Sequence, residues 1–145
     1  MNVLVTGGAG FIGGHLVKKL IDKGHTVGIV DDFSGGKEEN TYPKLTTIFR
    51  EDCRTADAMD QIFRLGNYGV VFHLAANASE NKSVFSPIDI TSRTYDAFIK
   101  TLTPFIKYGG KRFVFTSSIG VYGAVQTPFK ETHTPNPEDL YGITK

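Results

Sequence analysis

Apolar positions along this chain follow two rhythms. Short runs rich in β-branched and aromatic residues stand at Val3 to Thr6, Thr26 to Asp31, Thr46 to Arg50, Gly69 to Leu74 and Lys111 to Thr116, and they predict strands. The first of them, with Asn2 to Val5 reading NVLV, has the unbroken apolar character of a strand buried in a parallel sheet. Between the strands the spacing changes to threes and fours. Phe11, Ile12, Leu16, Leu20 and Ile21 fall on one face of a helix predicted over Phe11 to Lys23. Further helices are predicted at Ala56 to Leu65 and Ser92 to Tyr108, with Gly24 stopping the first and Gly109-Gly110 the last. Pro104 lies inside the third and is expected to kink or divide it. Gly120 to Asp139 reads as loop, punctuated by Pro128, Pro135 and Pro137, before Leu140 to Lys145 opens another helix. Strands alternating with helices require right-handed crossovers, hence an α/β domain whose parallel sheet is covered on both faces.

The turn from the first strand into the first helix changes the picture most. Gly8-Ala9-Gly10-Phe11-Ile12-Gly13 fits G-x-G-x-x-G, and Gly7, Gly10 and Gly13 also fit G-x-x-G-x-x-G. Either register serves one purpose. A turn without side chains lets the backbone approach a pyrophosphate, and the helix behind it offers free N–H groups and the positive end of its dipole. The fold class is therefore a Rossmann-like, doubly wound sheet of about five strands, one domain over residues 1–145. A P-loop is the competing phosphate cradle, but Gly36-Lys37 is followed by Glu38 and not by Ser or Thr. At the end of the second strand, Asp31 stands where a carboxylate accepts from adenosine ribose hydroxyls. Such a carboxylate repels a 2′-phosphate, and no Arg or Lys follows at once in Asp32-Phe33-Ser34, so NAD is expected over NADP.

Composition narrows the partners. Sixteen basic against fifteen acidic side chains give no electrostatic case for nucleic acid or an anionic membrane. Cys53 is the sole cysteine and the start lacks signal-peptide character, which favours the cytoplasm. His15, His25, His73 and His133 show no metal-ligand spacing with a Cys or acidic partner, so no metal is expected.

A second constellation closes the sequence. Tyr141-Gly142-Ile143-Thr144-Lys145 sets a phenol and an ammonium four residues apart, on one face if helical. A fixed positive charge beside a tyrosine lowers its pKa from about 10 toward use as a general base. Thr116-Ser117-Ser118 lies at the end of the fifth strand, where ligands of open parallel sheets bind. A serine there can hydrogen-bond a hydroxyl as it becomes a carbonyl, although for the cluster taken by itself a helix cap or turn is the favoured explanation.

These segments in this order, TGGAGFIG, Asp31, HLAA (His73 to Ala76), TSSIGVYG (Thr116 to Gly123) and YGITK, resemble the extended short-chain dehydrogenase/reductases, specifically the NAD-dependent nucleotide-sugar epimerase/dehydratase group. The resemblance runs from Asn2 to Lys145. It implies that Gly7, Gly10, Phe11, Ile12 and Gly13 hold the pyrophosphate of NAD. Asp31 takes the ribose, with Asp32, Phe33 and Ser34 lining that pocket. Asp52 and Cys53 match an acidic-apolar pair that contacts adenine, with Cys53 a packing residue and not a nucleophile. Leu74, Ala75 and Ala76 match a small-residue wall beside the cofactor. Ser118 matches the catalytic Ser/Thr, Tyr141 the base, and Lys145 the lysine that also binds the nicotinamide ribose; Tyr141 thus belongs to both sets.

The implied activity is that of a nucleotide-sugar epimerase: Tyr141 takes a proton from a sugar hydroxyl, hydride leaves the same carbon for NAD, and it returns to the opposite face of the ketone. Dehydratases of the group typically carry Asp-Glu after the catalytic Ser/Thr. Here Ile119-Gly120 follows, and neither residue transfers a proton. The alternatives are a non-catalytic dinucleotide-binding module and a reductase or dehydratase of the same superfamily. Two departures stand out. The group's Asn-x-x-Gly-Thr pattern before the fifth strand is replaced by Thr94-Tyr95-Asp96-Ala97-Phe98, leaving Arg93 or Thr94 to supply the lost polar contacts. Relatives are also about twice as long, so the chain is expected to be the NAD-binding half of such an enzyme, with an open edge at its fifth strand. Either a homodimer or a complementary C-terminal chain is compatible with that.

Overall fold

The computed structural model describes residues 1–78, 85–124 and 127–145. Its centre is a sheet of five parallel strands in the order β3-β2-β1-β4-β5. The strands are β1 (Asn2–Thr6), β2 (Thr26–Val30), β3 (Thr46–Phe49), β4 (Val70–His73) and β5 (Arg112–Phe115). β2 to β5 each lie within a run anticipated from the sequence, one residue shorter at one or both ends, and β1 starts one residue earlier than its run.

Strand periodicity divides the core between two faces. Leu4, Val30 and Val71 pack on one side with Met59, Ile62 and Phe63 of α2 (Ala56–Gly66) and with Ala97 and Phe105 of α4 (Ala97–Lys107). Val3, Val5, Val27 and Ile29 face the other way, against Val17 and Leu20 of α1 (Phe11–Asp22). Helices therefore cover both faces. At the helix ends, Gly24 and Gly109 adopt φ of +75° and +74°, left-handed values that let the chain reverse and return to the sheet.

The third helix differs from expectation. It begins earlier, with α3 (Pro87–Thr91), and its interruption is a π-turn at Ser92–Asp96 that leads into α4. Pro104 does not divide it: the proline is buried, its carbonyl accepts from Tyr108 N–H at 3.0 Å, and α4 continues to Lys107. Lys100, whose carbonyl has no N–H to accept from at Pro104, lines with Thr103 and Pro104 a surface groove between α2 and α4. The segment read as loop contains one 3₁₀ turn, Ile119–Tyr122, before α5 (Leu140–Thr144); its residues Val125 and Gln126 lie outside the described residues.

The chain winds outward from β1 to β2 and β3, then crosses back to place β4 on the other side of β1. This reversal leaves a crevice at the carboxyl ends of β1 and β4, where Thr6 and His73 are register partners. β5 pairs only with β4 among the described residues, which makes it an edge.

Candidate active site

The glycine turn sits above the crevice with almost no clearance. Gly7 has φ of +68°, and a Cβ built on it falls 2.9 Å from the Ala75 amide nitrogen. A Cβ on Gly13 would overlap the Gly7 carbonyl oxygen and lie 2.8 Å from Gly8 Cα. The third glycine therefore brings the first turn of α1 down onto the loop itself. Gly10 is the N-cap and offers no side chain, while the Phe11 and Ile12 side chains are 80% and 62% exposed. What these positions present to the crevice is main chain, at the positive end of a three-turn helix.

Asp31 lies beneath the loop, 7% exposed. Its Oδ2 accepts from Ala9 N–H and its Oδ1 from Phe33 N–H, each at 2.9 Å. Two carboxylate oxygens carry about four acceptor sites, so two backbone bonds fix the group and leave capacity for a diol. Phe33 turns at φ of +57°, with the Arg50 guanidinium 4.3 Å from its ring centroid. Asp32 and Ser34 form the next layer: Asp32 Oδ1 accepts from Ser34 N–H at 2.9 Å and from its hydroxyl at 2.6 Å.

A cleft of about 580 Å³ extends from this loop along the sheet ends. Gly7, Gly10, Asp31, Asp32 and Ser34 line it together with Leu74, Ala75 and Ala76, and Asp52 and Cys53 form its floor. Its size suits a small-molecule cofactor. Cys53 is buried, and desolvation, reinforced by the Asp52 charge, pushes its thiol up to about 12, a packing group with no nucleophilic capacity near neutrality. Asp52 is held by Arg54, whose Nη2 and Nε lie 2.6 and 2.9 Å from Oδ2. These bonds hold the Asp52 carboxyl below its ordinary range against the desolvation that opposes them.

Sequence reasoning missed Asp89 of α3 and Ser92 of the π-turn, and left Arg93 open as one of two substitutes for lost polar contacts. Arg93 lines the cleft, donating from Nε to Asp89 Oδ1 at 2.7 Å and from Nη1 to Asp32 Oδ2 at 3.1 Å. Arg54 Nη1 donates to Ser92 Oγ at 3.2 Å, tying the same turn to the end of β3. Of the two residues left open at the departure from the family pattern, Arg93 reaches the cleft, while Thr94 is 1% exposed with its Oγ1 unpaired among the described residues. No local signal announces these contacts, since Arg93 and Asp32 are sixty-one residues apart.

Ser118, Tyr141 and Lys145 come together beyond the end of β5, outside the residues that line the cleft. Ser118 is the N-cap of the 3₁₀ turn and its Oγ accepts from Gly120 N–H at 3.2 Å, so the capping role weighed from sequence is real. Accepting that bond leaves its hydroxyl proton available to a ligand. A Cβ built on Gly120 lies 3.5 Å from Ser118 Oγ and 3.9 Å from Tyr141 Cδ1, so serine and tyrosine converge over one residue. Asp139 caps α5 through Oδ1, which accepts from Gly142 N–H at 2.7 Å. One turn on, Lys145 Nζ stands 6.0 Å from the Tyr141 ring centroid and 5.2 Å from that of Phe115. Burial lowers the Lys145 pKa from its ordinary value. Ser117 Oγ donates to the Lys145 carbonyl at 3.0 Å, joining the end of α5 to the strand end.

Comparison with known proteins identifies the family and the fold. The family model described as NAD dependent epimerase/dehydratase matches residues 3–145. A UDP-glucose 4-epimerase from Thermotoga maritima, solved with UDP-glucose, superposes with a TM-score of 0.95 at 40% identity, covering 100% of this chain and 48% of that one. The Thermus thermophilus UDP-glucose 4-epimerase, solved with NAD, gives 0.95 at 37% identity, covering 100% and 47%. A putative UDP-glucose 4-epimerase of Methanocaldococcus jannaschii is 37% identical over 99% of this chain and 47% of its own length. A UDP-N-acetyl-alpha-D-glucosaminuronate decarboxylase of Bacillus cytotoxicus is 35% identical over 97% of this chain. The chain thus spans about half the length of the relatives it matches. With a family match over nearly every residue, and the glycine cradle, Asp31 and the Tyr-Lys pair all at the carboxyl end of the sheet, the chain belongs to the NAD-dependent epimerase/dehydratase family.

Proposed function

We propose that this chain carries the dinucleotide site and the acid-base residues of a nucleotide-sugar 4-epimerase that uses NAD and acts on UDP-sugars. The observation that carries the proposal is the presence of two independent devices at the carboxyl end of one sheet: after the central strand β1, a backbone cradle that a Cβ would fill, and beyond β5, a serine and a tyrosine that converge over Gly120 with the Lys145 ammonium 6.0 Å from the phenol ring centroid. The cradle fits NAD. The close backbone passage at Gly7 and Gly13 suits a diphosphate, and the spare acceptor sites of Asp31 suit a ribose diol.

When bound, NAD supplies the two-electron acceptor for the sugar carbon and later returns those electrons. The chain's own residues manage the proton. Tyr141, with the Lys145 ammonium 6.0 Å from its ring centroid, takes the proton of the sugar hydroxyl. Ser118 donates its hydroxyl proton as a hydrogen bond to the same oxygen while that oxygen becomes a carbonyl. After the ketone has turned over, Tyr141 returns the proton to the oxygen, so neither residue is changed by the cycle. Ile119 and Gly120 beside Ser118 hold no transferable proton, which separates this site from one that eliminates water.

The test uses the full-length protein. Tyr141→Phe is expected to lower the interconversion of UDP-glucose and UDP-galactose by about 10³-fold, within the range of general-base losses, while NAD still binds. An unaffected rate rejects Tyr141 as base. Tight NAD binding with no turnover by the unsubstituted protein supports the binding-module reading, stoichiometric loss of NADH a reductase, and release of CO₂ from a UDP-uronate a decarboxylase like the Bacillus relative.

A further inference from the structure

A reading of the β2 loop alone finds no cation to receive a 2′-phosphate; the folded chain brings one there. Arg93 reaches the adenosine end of the cleft from the π-turn and lies beside Asp32, the residue next to Asp31. Both its Nε and its Nη1 are committed to carboxylates, Asp89 Oδ1 and Asp32 Oδ2. Asp89 is anchored in turn, its Oδ2 accepting from Asn77 Nδ2 at 3.0 Å. Asp32 is anchored by the Ser34 amide and hydroxyl.

We propose that coenzyme selection at this cleft is set by an ion-pair lock, in which Asp32 and Asp89 hold the Arg93 guanidinium and deny it to a 2′-phosphate. The inference rests on the dinucleotide reading above. Arg93 is a specificity-determining residue here because it is the cation among the described residues lining the cleft, where Asp31, Asp32, Glu51, Asp52 and Asp89 supply carboxylates. A phosphate dianion entering there meets carboxylates first, whereas a free ribose diol donates to Asp31 and leaves the lock closed. The lock also crosses the cleft, joining the loop after β2 to the α3 turn, so it shapes the adenosine end as well as its charge.

Asp32→Asn tests the lock without dismantling the loop. An asparagine keeps the Oδ1 that accepts from Ser34, while its amide turns a donor toward Arg93 and releases the guanidinium. Binding of NAD and NADP to the full-length protein is measured by titration calorimetry, with thermal unfolding as a check on folding. The ratio of NADP to NAD affinity is expected to rise about tenfold in Asp32→Asn, and to rise in the same direction in Asp89→Asn, which frees Nε instead of Nη1. Adding Arg93→Gln to either variant is expected to remove the gain. An unchanged ratio in both single variants overturns the proposal, and so does a gain that survives Arg93→Gln, which would assign the effect to lost repulsion alone. If the unsubstituted protein binds neither coenzyme, the dinucleotide reading fails and the lock with it; if it binds NAD and the ratios do not move, the lock fails alone.

Discussion

His73 provides a test of the packing beneath the site. Its ring is 1% exposed, with Phe98, Phe113 and Phe115 at centroid distances of 5.8 to 6.1 Å. Nδ1 lies 2.9 Å from Thr6 Oγ1, which also accepts from Ala75 N–H at 3.2 Å. The tautomer that leaves Thr6 fully paired has the hydroxyl donating to Nδ1. Burial, with a smaller contribution from the Lys145 charge, pushes the imidazole pKa down to about 3, whereas an unfolded chain holds histidine near its ordinary value. The sign follows directly. Above about pH 7.5 both states are neutral and proton binding contributes no difference between them; as pH falls below about 6.5 the unfolded chain takes a proton that the folded chain refuses, and stability is lost until the folded group titrates near 3. From these two values the loss at pH 5 is about 2 kcal/mol. With a urea m-value of about 1–3 kcal/mol per molar, that is a midpoint shift on the order of 1 M. The assay is urea unfolding at pH 7.5 and pH 5 for the protein and for His73→Gln. The variant has its own offset at pH 7.5, but its decline between the two pH values should be smaller by about 2 kcal/mol. The other three histidines are common to both proteins and cancel. Equal declines would refute a neutral, buried His73.

Other perturbations address the cradle and its floor. Gly13→Ala places a methyl group on the Gly7 carbonyl, a clash with main chain that cannot rotate away, so it should cost about 1–3 kcal/mol despite alanine's better helix propensity and weaken NAD binding at least tenfold; a stabilised variant with normal affinity would contradict the close passage. Cys53, with its thiol pushed up to about 12, should react with iodoacetamide at pH 8 more than a hundredfold slower in the folded protein than in denaturant, and comparable rates would show the cleft floor to be open.

Much of this organisation is legible in the chain, because the features concerned are local. Five short apolar runs give five strands, and glycines at the turn after β1 mark a backbone that must pass close to something. Asp31 and the Tyr141 to Lys145 spacing are read within single elements, and the helical register does place phenol and ammonium side by side. The lock is not legible, since Asp32, Asp89 and Arg93 are joined by the winding of β2 and α3 onto one end of the cleft. Pro104 misleads for a related reason: propensity anticipates a break, but burial of Pro104 and Phe105 against α2 holds the helix through it. The π-turn at Ser92–Asp96 has no compositional mark at all, and it is what brings Arg93 to the cleft.

The central claim is that main chain at the head of α1 receives a diphosphate. A crystal structure of the protein grown with NAD tests it most directly. The account predicts diphosphate density against the Phe11 and Ile12 amides, with the adenosine ribose hydroxyls on Asp31. A diphosphate bound anywhere else, or an empty cradle at saturating NAD, would contradict it.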